Sequence, residues 1–325
     1  MIISKTPLRM SFAGGGSDFK GYYQKNYGSV VSTAIDKYIY VTVNKKFDDS
    51  IRISYSKTEE TDNVEKIEHN LVREAMKLTG VTKGIDISYM SDMLPAREGT
   101  GLGASSSLTV GILNALYAYK GQQASAEKLA KEACQIEIEI LGDPIGKQDQ
   151  YAAAFGGFNY IKFNSDGSVL VEPIKCGEKT KEELNKNLLL FYTGMNSISS
   201  EVLPEQKKKI NINLDNLDEM VKLAEELKKS LNNNDLQKFG EILHQGWILK
   251  QKLASKITNS AINDYYQKAR EAGAVGGKIL GSGGGGFLLF YCNPENQNKV
   301  RQALSNLKET FFKFETEGSK IVYTD

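Results

Sequence analysis

The sequence predicts an α+β protein of two domains, because strand-like and helix-like patterns both occur and do not alternate regularly. Strand-like patterns dominate before Gly99, whereas apolar residues recur at helical spacing from Leu108 onwards. The turn signal Asn164 to Gly167 and the charged, loop-like run Glu178 to Lys186 indicate a boundary between Phe163 and Leu188. We therefore expect one domain over residues 1–170 and another over residues 171–325.

The first domain is predicted to be rich in strands, which lie at Ile2 to Phe12, Val30 to Val43, Ile85 to Tyr89 and Phe158 to Phe163. Two packed helices are expected from apolar stripes at Leu108, Ile112, Leu116 and Tyr119, and at Leu129, Ala133, Ile136 and Ile140. Ser56 to His69 is predicted to be a solvated loop before a helix near Leu71 to Leu78. Asp143-Pro144 resembles an N-cap with proline at the first helical position, and this short helix would end near Gly156-Gly157.

The second domain is predicted to mix strands with longer helices. We expect strands at Leu188 to Tyr192 and Gly286 to Tyr291, with a final strand pair between Phe311 and Tyr323. Helices are expected through Leu214 to Leu231, Leu243 to Leu253, Ala261 to Ala272 and Val300 to Leu307. All of these elements are interpreted as scaffold.

Composition and charge point to a small-molecule partner. Of 325 residues, 40% are hydrophobic and 25% charged, as in ordinary globular proteins. The 41 basic and 40 acidic residues give a net charge of +1, so neither nucleic acid nor a membrane surface is an expected partner. No segment has the apolar length of a membrane helix, and the N-terminus lacks the apolar core of a signal peptide. We expect a cytoplasmic protein; the sequence leaves a homodimer open.

The chain has few cysteines and histidines from which a catalytic or metal site could be built. Cys134, Cys176 and Cys292 are far apart in apolar stretches and are interpreted as core thiols of a reducing compartment. His69 and His244 have no matching partner for a zinc site or a histidine-based triad. Acid–base chemistry is therefore expected from carboxylates or lysines.

The most informative segment is a glycine-rich loop between a strand and an amphipathic helix. Glycines let the backbone approach an anion, and the first helical N–H groups are unsatisfied and lie at the positive end of the helix dipole. A capped loop without a ligand is an equally good interpretation of such a loop taken alone. The candidate phosphate-binding residues are Gly99, Gly101, Leu102, Gly103, Ala104, Ser105, Ser106 and Ser107.

A second glycine turn ends the first predicted strand, between Arg9 and Asp18. Charged hydrogen-bonding groups beside an exposed backbone suit the hydroxyl groups of a sugar. We name Arg9, Gly15, Gly16 and Asp18 as candidate substrate-binding residues. The alternative is a tight turn with a surface ion pair.

A third glycine run, Gly281 to Gly286, matches G-x-G-x-x-G but leads into a strand, whereas a dinucleotide fingerprint opens a helix. We expect a hairpin-like turn near the active site, with Gly283, Gly284 and Gly285 as its glycine motif. Gly142 to Gln148 lacks the spacing and the hydroxyl residue of a Walker-type phosphate loop.

Two carboxylates complete the candidate site. Glu137 projects from the apolar face of its helix whereas Glu139 does not, so Glu137 is the candidate Mg²⁺ ligand, with a lysine or arginine partner as the alternative. Asp149 is the candidate catalytic residue, and Lys147 is the cation expected to assist it. An ordinary surface ion pair is the more common arrangement for such an Asp–Lys pair.

Taken in order, the three glycine segments resemble the motifs of the GHMP kinases. This resemblance implies a two-domain fold with an N-terminal βαβ-type domain and a ferredoxin-like α+β C-terminal domain. It also implies ATP and Mg²⁺ as cofactors, Ser105 and Glu137 as metal ligands, and Asp149, with Lys147 and Arg9, as the catalytic group. Asp149 stands one residue further along than the mevalonate kinase pattern requires, and Ala104 replaces the first serine of the usual pair.

Within that family, Gly28 to Tyr40 and Gly146 to Asn159 look most like the D-glycero-D-manno-heptose 7-phosphate kinases, which phosphorylate the anomeric hydroxyl. Where these kinases commonly carry an arginine after Gly194, this chain has Met195-Asn196-Ser197. The alternatives are an L-fucose, galactose or other hexose kinase, a non-catalytic sugar- or nucleotide-binding protein, and a phosphorylation-coupled decarboxylase. The expected partner is a sugar or sugar phosphate.

Overall fold

The computed structural model describes residues 1–93 and 99–325. Its strands are β1 (Ile2–Ala13), β2 (Gly28–Lys45), β3 (Ile51–Ser54), β4 (Thr58–Thr61), β5 (Ile85–Ser91), β6 (Phe158–Phe163), β7 (Val169–Pro173), β8 (Leu188–Tyr192), β9 (Gly276–Ile279), β10 (Phe287–Tyr291), β11 (Lys308–Glu309), β12 (Phe314–Glu315) and β13 (Lys320–Thr324). Its α-helices are α1 (Lys20–Tyr23), α2 (Asn70–Thr79), α3 (Ala104–Tyr119), α4 (Ala126–Cys134), α5 (Gln148–Phe155), α6 (Glu178–Asn187), α7 (Ser199–Lys208), α8 (Leu214–Asn232), α9 (Gln237–Lys250), α10 (Ser260–Glu271) and α11 (Pro294–Ala303). Single turns of 3₁₀-helix span Val64–Lys66 and Ile210–Ile212, and a π-helix spans Gln135–Ile140.

Two mixed layers of sheet and helix confirm the α+β class. The first sheet follows the order β13-β1-β2-β5-β3-β4, with β6 and β12 also paired to β2 and β7 paired to β6. Among the described pairs of this sheet, β3 with β5 is parallel and the others are antiparallel. The second sheet is antiparallel, in the order β11-β8-β10-β9. A doubly wound parallel sheet is therefore absent from the described part of the chain.

Helix α3 is the central helix of the first unit and fixes the glycine loop that precedes it. Its apolar side chains are buried, including Leu108, Ile112 and Leu116, and each contributes about 1.5–3 kcal/mol of burial free energy. Gly111 lies against the sheet, because a Cβ there would stand 2.9 Å from the Thr6 hydroxyl oxygen. The start of α3 is thus held at one place over β1.

The last strands of the chain return to the first sheet. Strand β13 pairs with β1, and β12 pairs with β2, so residues 314–315 and 320–324 belong to the first sheet although they follow the second unit in sequence. The boundary near residue 170 stays a prediction. The predicted second domain, residues 171–325, needs one correction, because its last strands, β12 and β13, belong to the first sheet. The pairing arises because β1 and β2 offer free strand edges to the C-terminal segment.

Three local predictions were wrong, two of them because polar residues hid regular structure. The run predicted as loop before Leu188 is helix α6, which buries Leu184. Strand β4 and a 3₁₀ turn lie in the stretch predicted to be a solvated loop. Asp143-Pro144 does not open a helix, because α5 begins at Gln148 and Lys147 is its N-cap.

None of the helices in the described ranges is both long and apolar enough to cross a membrane.

Candidate functional site

The glycine loop before α3 forms an open cradle at the helix N-terminus. Gly101 and Gly103 both have φ of +78°, which only glycine adopts without strain, and α3 begins immediately after Gly103 without a side-chain cap. No described group accepts a hydrogen bond from the first amides of α3, which lie at the positive end of the helix dipole and can bind an anion.

Most of the predicted phosphate-binding residues line one cavity at this cradle, namely Gly99, Gly101, Gly103, Ala104, Ser105 and Ser106. Leu102 and Ser107 instead face the interior and are fully buried. The Ser107 hydroxyl donates to the carbonyl oxygen of Pro7 at 2.9 Å, so this residue supports the loop from behind. Those two side chains hold the cradle and do not line its cavity.

Glu137 is a fully buried carboxylate that faces the cradle from the π-helix. The Ser105 hydroxyl donates to one carboxylate oxygen at 2.9 Å, and the Gln150 amide donates to the other at 2.6 Å. Desolvation outweighs these hydrogen bonds and raises the pKa of Glu137 to about 7. Glu139 borders a different cavity, so the predicted difference between the two glutamates is seen in the fold.

The surroundings of Glu137 fit a magnesium ion held together with phosphate oxygens. No lysine or arginine of the described residues lies within ion-pair distance of Glu137. The described residues also contain no cluster of three or more His, Cys, Asp or Glu side chains that could hold a metal ion. The side chains placed to hold such an ion are Glu137 and the Ser105 hydroxyl that is hydrogen-bonded to it, with the Ser106 hydroxyl also beside the carboxylate. Such a sparse set of oxygen ligands is typical of Mg²⁺, which keeps waters and substrate phosphates in its shell.

Asp149 is held by Arg9 in a two-pronged ion pair. Arg9 Nε lies 2.6 Å and Nη2 2.5 Å from the two carboxylate oxygens. The same guanidinium donates through Nη1 to the Gly101 carbonyl oxygen at 2.7 Å, and the Arg9 amide donates to the Leu102 carbonyl oxygen at 3.0 Å. The pair therefore fixes the Asp149 carboxylate against the glycine loop.

Lys147 does not take the position predicted for it. Its ammonium donates to the Gly167 carbonyl oxygen at 3.0 Å and lies 5.2 Å from the centre of the Tyr23 ring. It borders a neighbouring cavity and lies away from the Asp149 carboxylate. The cation beside Asp149 is Arg9, 140 positions away in sequence, because β1 carries it under the start of α5.

A second cavity, with a volume of about 100 Å³ and partly open to solvent, lies on the other side of the Arg9–Asp149 pair. Its wall includes the predicted substrate-side residues Gly15, Gly16 and Asp18. Asp18 is only 2% exposed, and its carboxylate accepts hydrogen bonds from the Gly16 amide and from the amide and side chain of Gln148. Burial nevertheless raises the pKa of Asp18.

Arg9 and Asp149 border both cavities, together with Ile145, Leu203, Gly281 and Ser282. The cradle cavity contains the free helix amides and Glu137, and we call it the phosphate pocket. The other cavity, on the side of Asp18, is called the acceptor pocket. A group bound in one pocket would meet a group bound in the other at the Asp149 carboxylate.

The third glycine segment forms the turn between β9 and β10, which confirms the predicted hairpin. Gly281 and Ser282 border both pockets, and a Cβ on Gly281 would stand 2.3 Å from the Gly101 Cα. Gly283, Gly284 and Gly285 lie behind this contact, where a side chain would collide with Ile257, Ile198 and Asn196 respectively. These three glycines allow close packing and do not line either pocket.

Sequence reasoning missed two buried lysines in the acceptor pocket. Lys250, the last residue of α9, is 7% exposed, and Lys278 in β9 is 5% exposed. A usable signal was present, because each lysine stands among apolar residues or glycines at a position that the pattern makes buried. No motif drew attention to them.

Two family models match the chain. The model described as GHMP kinases N terminal domain matches residues 67–157, and the model described as GHMP kinases C terminal matches residues 223–310. The chain is 30% identical over 338 residues to the D-glycero-alpha-D-manno-heptose 7-phosphate kinase of Campylobacter jejuni, covering 98% of each protein. It is 27% identical over 362 residues to the galactokinase of Pyrococcus furiosus, covering 99% of this chain and 97% of that one.

Solved structures match over the same length. A D-glycero-D-manno-heptose 1-phosphate kinase from Bacteriodes thetaiotaomicron superposes with a TM-score of 0.83 at 27% identity, covering 100% of both chains. The galactokinase of Lactococcus lactis, solved with galactose, superposes with a TM-score of 0.78 at 17% identity over 98% of this chain and 94% of that one. The second likeness concerns the fold alone.

Proposed function

The chain belongs to the GHMP kinases and is an ATP-dependent sugar kinase of that family, and we propose that it phosphorylates the anomeric hydroxyl of D-glycero-D-manno-heptose 7-phosphate. The observation that carries the proposal is the position of Asp149, which borders both the phosphate pocket and the acceptor pocket. Phosphoryl transfer requires the donor phosphate and the acceptor hydroxyl to meet in line at one place. Asp149 marks that place.

The phosphate pocket would hold the triphosphate of ATP. The free amides at the start of α3 and the hydroxyls of Ser105 and Ser106 supply donors for phosphate oxygens. Glu137 and Ser105 would hold Mg²⁺, which when bound neutralises charge on the phosphates that are being cleaved. The Arg9 side chain packs under Gly103 and keeps the loop in the conformation that exposes these amides.

Asp149 would orient the acceptor hydroxyl and accept its proton. A carboxylate has about four acceptor positions, and the two that Arg9 uses leave others free for a hydroxyl group in the acceptor pocket. Because Arg9 fixes both oxygens, Asp149 needs no rearrangement when substrate binds, which favours catalysis by positioning. Asp18, Gly15 and Gly16 would contact the other hydroxyls of the sugar.

The heptose assignment rests on the relatives. The Campylobacter jejuni relative is a heptose 7-phosphate kinase by name, and the Bacteriodes thetaiotaomicron structure carries the name of a heptose 1-phosphate kinase. Hexose kinases are also similar over nearly the whole chain, among them the Pyrococcus furiosus galactokinase. Galactose and L-fucose are therefore the rival acceptors.

The test is turnover with ATP and Mg²⁺ on a panel containing heptose 7-phosphate, the unphosphorylated heptose, L-fucose and galactose. We expect heptose 7-phosphate to give the highest kcat/KM, and ³¹P NMR of its product to show a second phosphate on the anomeric carbon. Preference for galactose or L-fucose would replace the heptose assignment with a hexose kinase. Nucleotide binding without turnover on any sugar would favour the non-catalytic alternative.

A further inference from the structure

Lys250 and Lys278, the lysine pair, are buried amino groups, and no carboxylate of the described residues forms an ion pair with either of them. Lys250 Nζ donates to the carbonyl oxygens of Ile279, at 3.2 Å, and Gly281. Lys278 Nζ donates to the carbonyl oxygens of Ser11 at 2.8 Å and Phe12 at 3.2 Å. Each ammonium has three N–H donors, so each keeps one donor that the described residues do not use. Both lysines line the acceptor pocket.

When both lysines are protonated, the described charged groups around this pocket leave an excess of positive charge. The charged groups that face Lys250 are Arg9 on β1, Asp18 after β1, Asp149 on α5 and Lys278 on β9. Arg9 and Asp149 neutralise each other in their ion pair, so only Asp18 remains to balance the lysine pair. An isolated buried charge destabilises the folded protein unless a partner of opposite charge is supplied. An anionic ligand is a partner that would remove this cost.

A further polar atom of the acceptor pocket also lacks a partner. Ser11 is 7% exposed, and its hydroxyl oxygen has no hydrogen-bond partner in residues 1–93 and 99–325. It lies on the same wall as Lys278, whose ammonium donates to the Ser11 carbonyl oxygen. Buried hydroxyl groups in folded proteins are nearly always hydrogen-bonded. The pocket therefore offers two ammonium donors and one hydroxyl to a ligand that accepts several hydrogen bonds.

We propose that the lysine pair and Ser11 form a subsite for a phosphomonoester group carried by the acceptor sugar. The proposal rests on the acceptor being a sugar phosphate, and it deepens that function by naming the residues that read the phosphate. A phosphate dianion has three acceptor oxygens and about two negative charges, which matches two ammonium groups and a hydroxyl. A neutral sugar would leave the lysine pair unpaired, so the subsite would select for phosphorylated acceptors.

Protonation should be coupled to binding at this subsite. Desolvation, followed by the positive charge of Arg9, lowers the pKa of Lys250 to about 7, and burial holds the pKa of Lys278 well below its usual range. A bound dianion favours the ammonium form, so the pKa of Lys250 is higher in the complex than in the free protein. Above pH 7 the free protein must take up a proton to bind, and affinity falls by about tenfold per pH unit.

The experiment compares calorimetric binding of heptose 7-phosphate and of unphosphorylated heptose to the full chain without ATP, so that it needs no turnover. The variants are Lys250→Met and Lys278→Met, with Lys252→Met as the control, because Lys252 is an exposed lysine near the same helix end. We expect the wild type and Lys252→Met to prefer the phosphorylated sugar. Lys250→Met should weaken binding of the phosphorylated sugar by about 10- to 100-fold and leave that of the unphosphorylated sugar nearly unchanged.

Further measurements test whether the lysine pair forms a phosphate subsite. The loss of affinity above pH 7 should disappear in Lys250→Met, and melting curves with Mg²⁺-ATP should show that the variant is folded and still binds nucleotide. Equal weakening for both sugars, weakened ATP binding, or a wild type without preference for the phosphorylated sugar would overturn the subsite. Lysine-dependent binding without any phosphoryl transfer to the heptose would instead preserve the subsite and contradict the proposed function.

Discussion

At the scale of single residues, Asp149 depends on a partner that its sequence neighbours do not supply. Arg9 uses three of its nitrogen atoms at once, two on Asp149 and one on the Gly101 carbonyl oxygen, and its side chain is only 5% exposed. A lysine could not make this planar, two-pronged contact. The orientation of the candidate catalytic carboxylate and the shape of the phosphate loop are therefore set by the same side chain.

Replacing Asp149 by Asn tests the catalytic role directly. Asparagine keeps the shape but loses an oxygen that accepts from a hydroxyl and turns an N–H toward Arg9, so kcat should fall by about 10²- to 10⁴-fold. Nucleotide binding should be retained, as measured by calorimetry with Mg²⁺-ATP. The matched control is Glu139→Gln, since Glu139 borders a different cavity. A turnover number near that of the wild type would remove Asp149 from the mechanism.

Glu137 should give the magnesium dependence a pH profile. Its pKa is raised to about 7, so the carboxyl group is increasingly protonated as pH falls below 7. Metal binding needs the carboxylate, so apparent Mg²⁺ affinity should fall toward about tenfold per pH unit below pH 7. The measurement is the Mg²⁺ concentration for half-maximal activity between about pH 6 and pH 8, in the wild type and in Glu137→Gln.

In Glu137→Gln we expect weaker Mg²⁺-ATP binding without that pH profile, because glutamine does not titrate in this range. Glu139→Gln should keep the profile of the wild type, which separates a local effect from a change in net charge. An unchanged Mg²⁺ dependence in Glu137→Gln would exclude this carboxylate as a metal ligand.

At the scale of elements, two glycine turns from distant parts of the chain pack backbone against backbone. A Cβ on Gly101 would stand 2.6 Å from the Leu280 carbonyl oxygen, which is closer than real Cβ atoms approach. Gly121, at the other end of α3, has a φ of +70° like the +78° of Gly101, but a Cβ there meets nothing within 4 Å. Comparing alanine substitutions at Gly101 and Gly121 therefore distinguishes the cost of a positive φ from the cost of the steric clash between the two turns.

We expect Gly121→Ala to cost about 1 kcal/mol in the free energy of unfolding, because alanine disfavours positive φ. Gly101→Ala should cost more than that and should also raise the KM for ATP, because the loop must move away from β9 and β10 to admit the methyl group. Urea unfolding and steady-state kinetics measure the two effects. Equal costs in both variants, with normal ATP kinetics, would show that the contact between the turns is unimportant.

The sequence predicted elements well where apolar periodicity was strong and poorly where charge obscured it. The long strand β2 and the helix α3 were visible because both are rich in apolar residues, although α3 is buried on all sides from Ser106 to Tyr117 and is not the amphipathic helix that was predicted. Helix α6 was missed because it is mostly charged and holds its place chiefly through Leu184.

For the site, local motifs predicted the phosphate pocket, since the glycines and serines that form it are contiguous in sequence. The Arg9–Asp149 pair and the lysine pair could not be predicted in the same way. Their residues lie far apart in the chain, and only the tertiary fold brings them together.

At the scale of the whole molecule, the acceptor pocket lies where the two sheets meet. Lys278 on β9 of the second sheet donates to backbone oxygens at the end of β1 in the first sheet, and Gly281 touches Gly101 across the same boundary. Residues from both units therefore line one pocket. The geometry of the acceptor pocket therefore depends on how the second unit packs against the first.

The returning C-terminal strands support the first sheet and the helix that carries Asp149. The Ser319 hydroxyl lies 2.7 Å from that of Thr6 on β1 and accepts from the Asn114 amide of α3 at 3.0 Å. A Cβ on Gly318 would stand 2.0 Å from the Ala154 carbonyl oxygen, so this segment packs tightly on α5, the helix of Asp149.

A chain that ends at residue 313 lacks β12 and β13 and exposes the edge of β1. We expect its melting temperature to fall by at least about 2 °C, since more than about 1 kcal/mol is lost from a chain of this length, and its kcat to fall because α5 loses support. Removal of the exposed Asp325 alone is the control and should change neither quantity. Normal stability and activity of the shorter chain would contradict a structural role for the returning strands.

The central claim is that donor and acceptor meet at Asp149, and a crystal structure of the ternary complex tests it most directly. The complex would contain a non-hydrolysable ATP analogue, Mg²⁺ and heptose 7-phosphate. We predict the terminal phosphate at the start of α3 beside Ser105, and the anomeric hydroxyl within hydrogen-bonding distance of the Asp149 carboxylate. Nucleotide bound outside the phosphate pocket, or a sugar whose hydroxyls do not reach Asp149, would contradict the account.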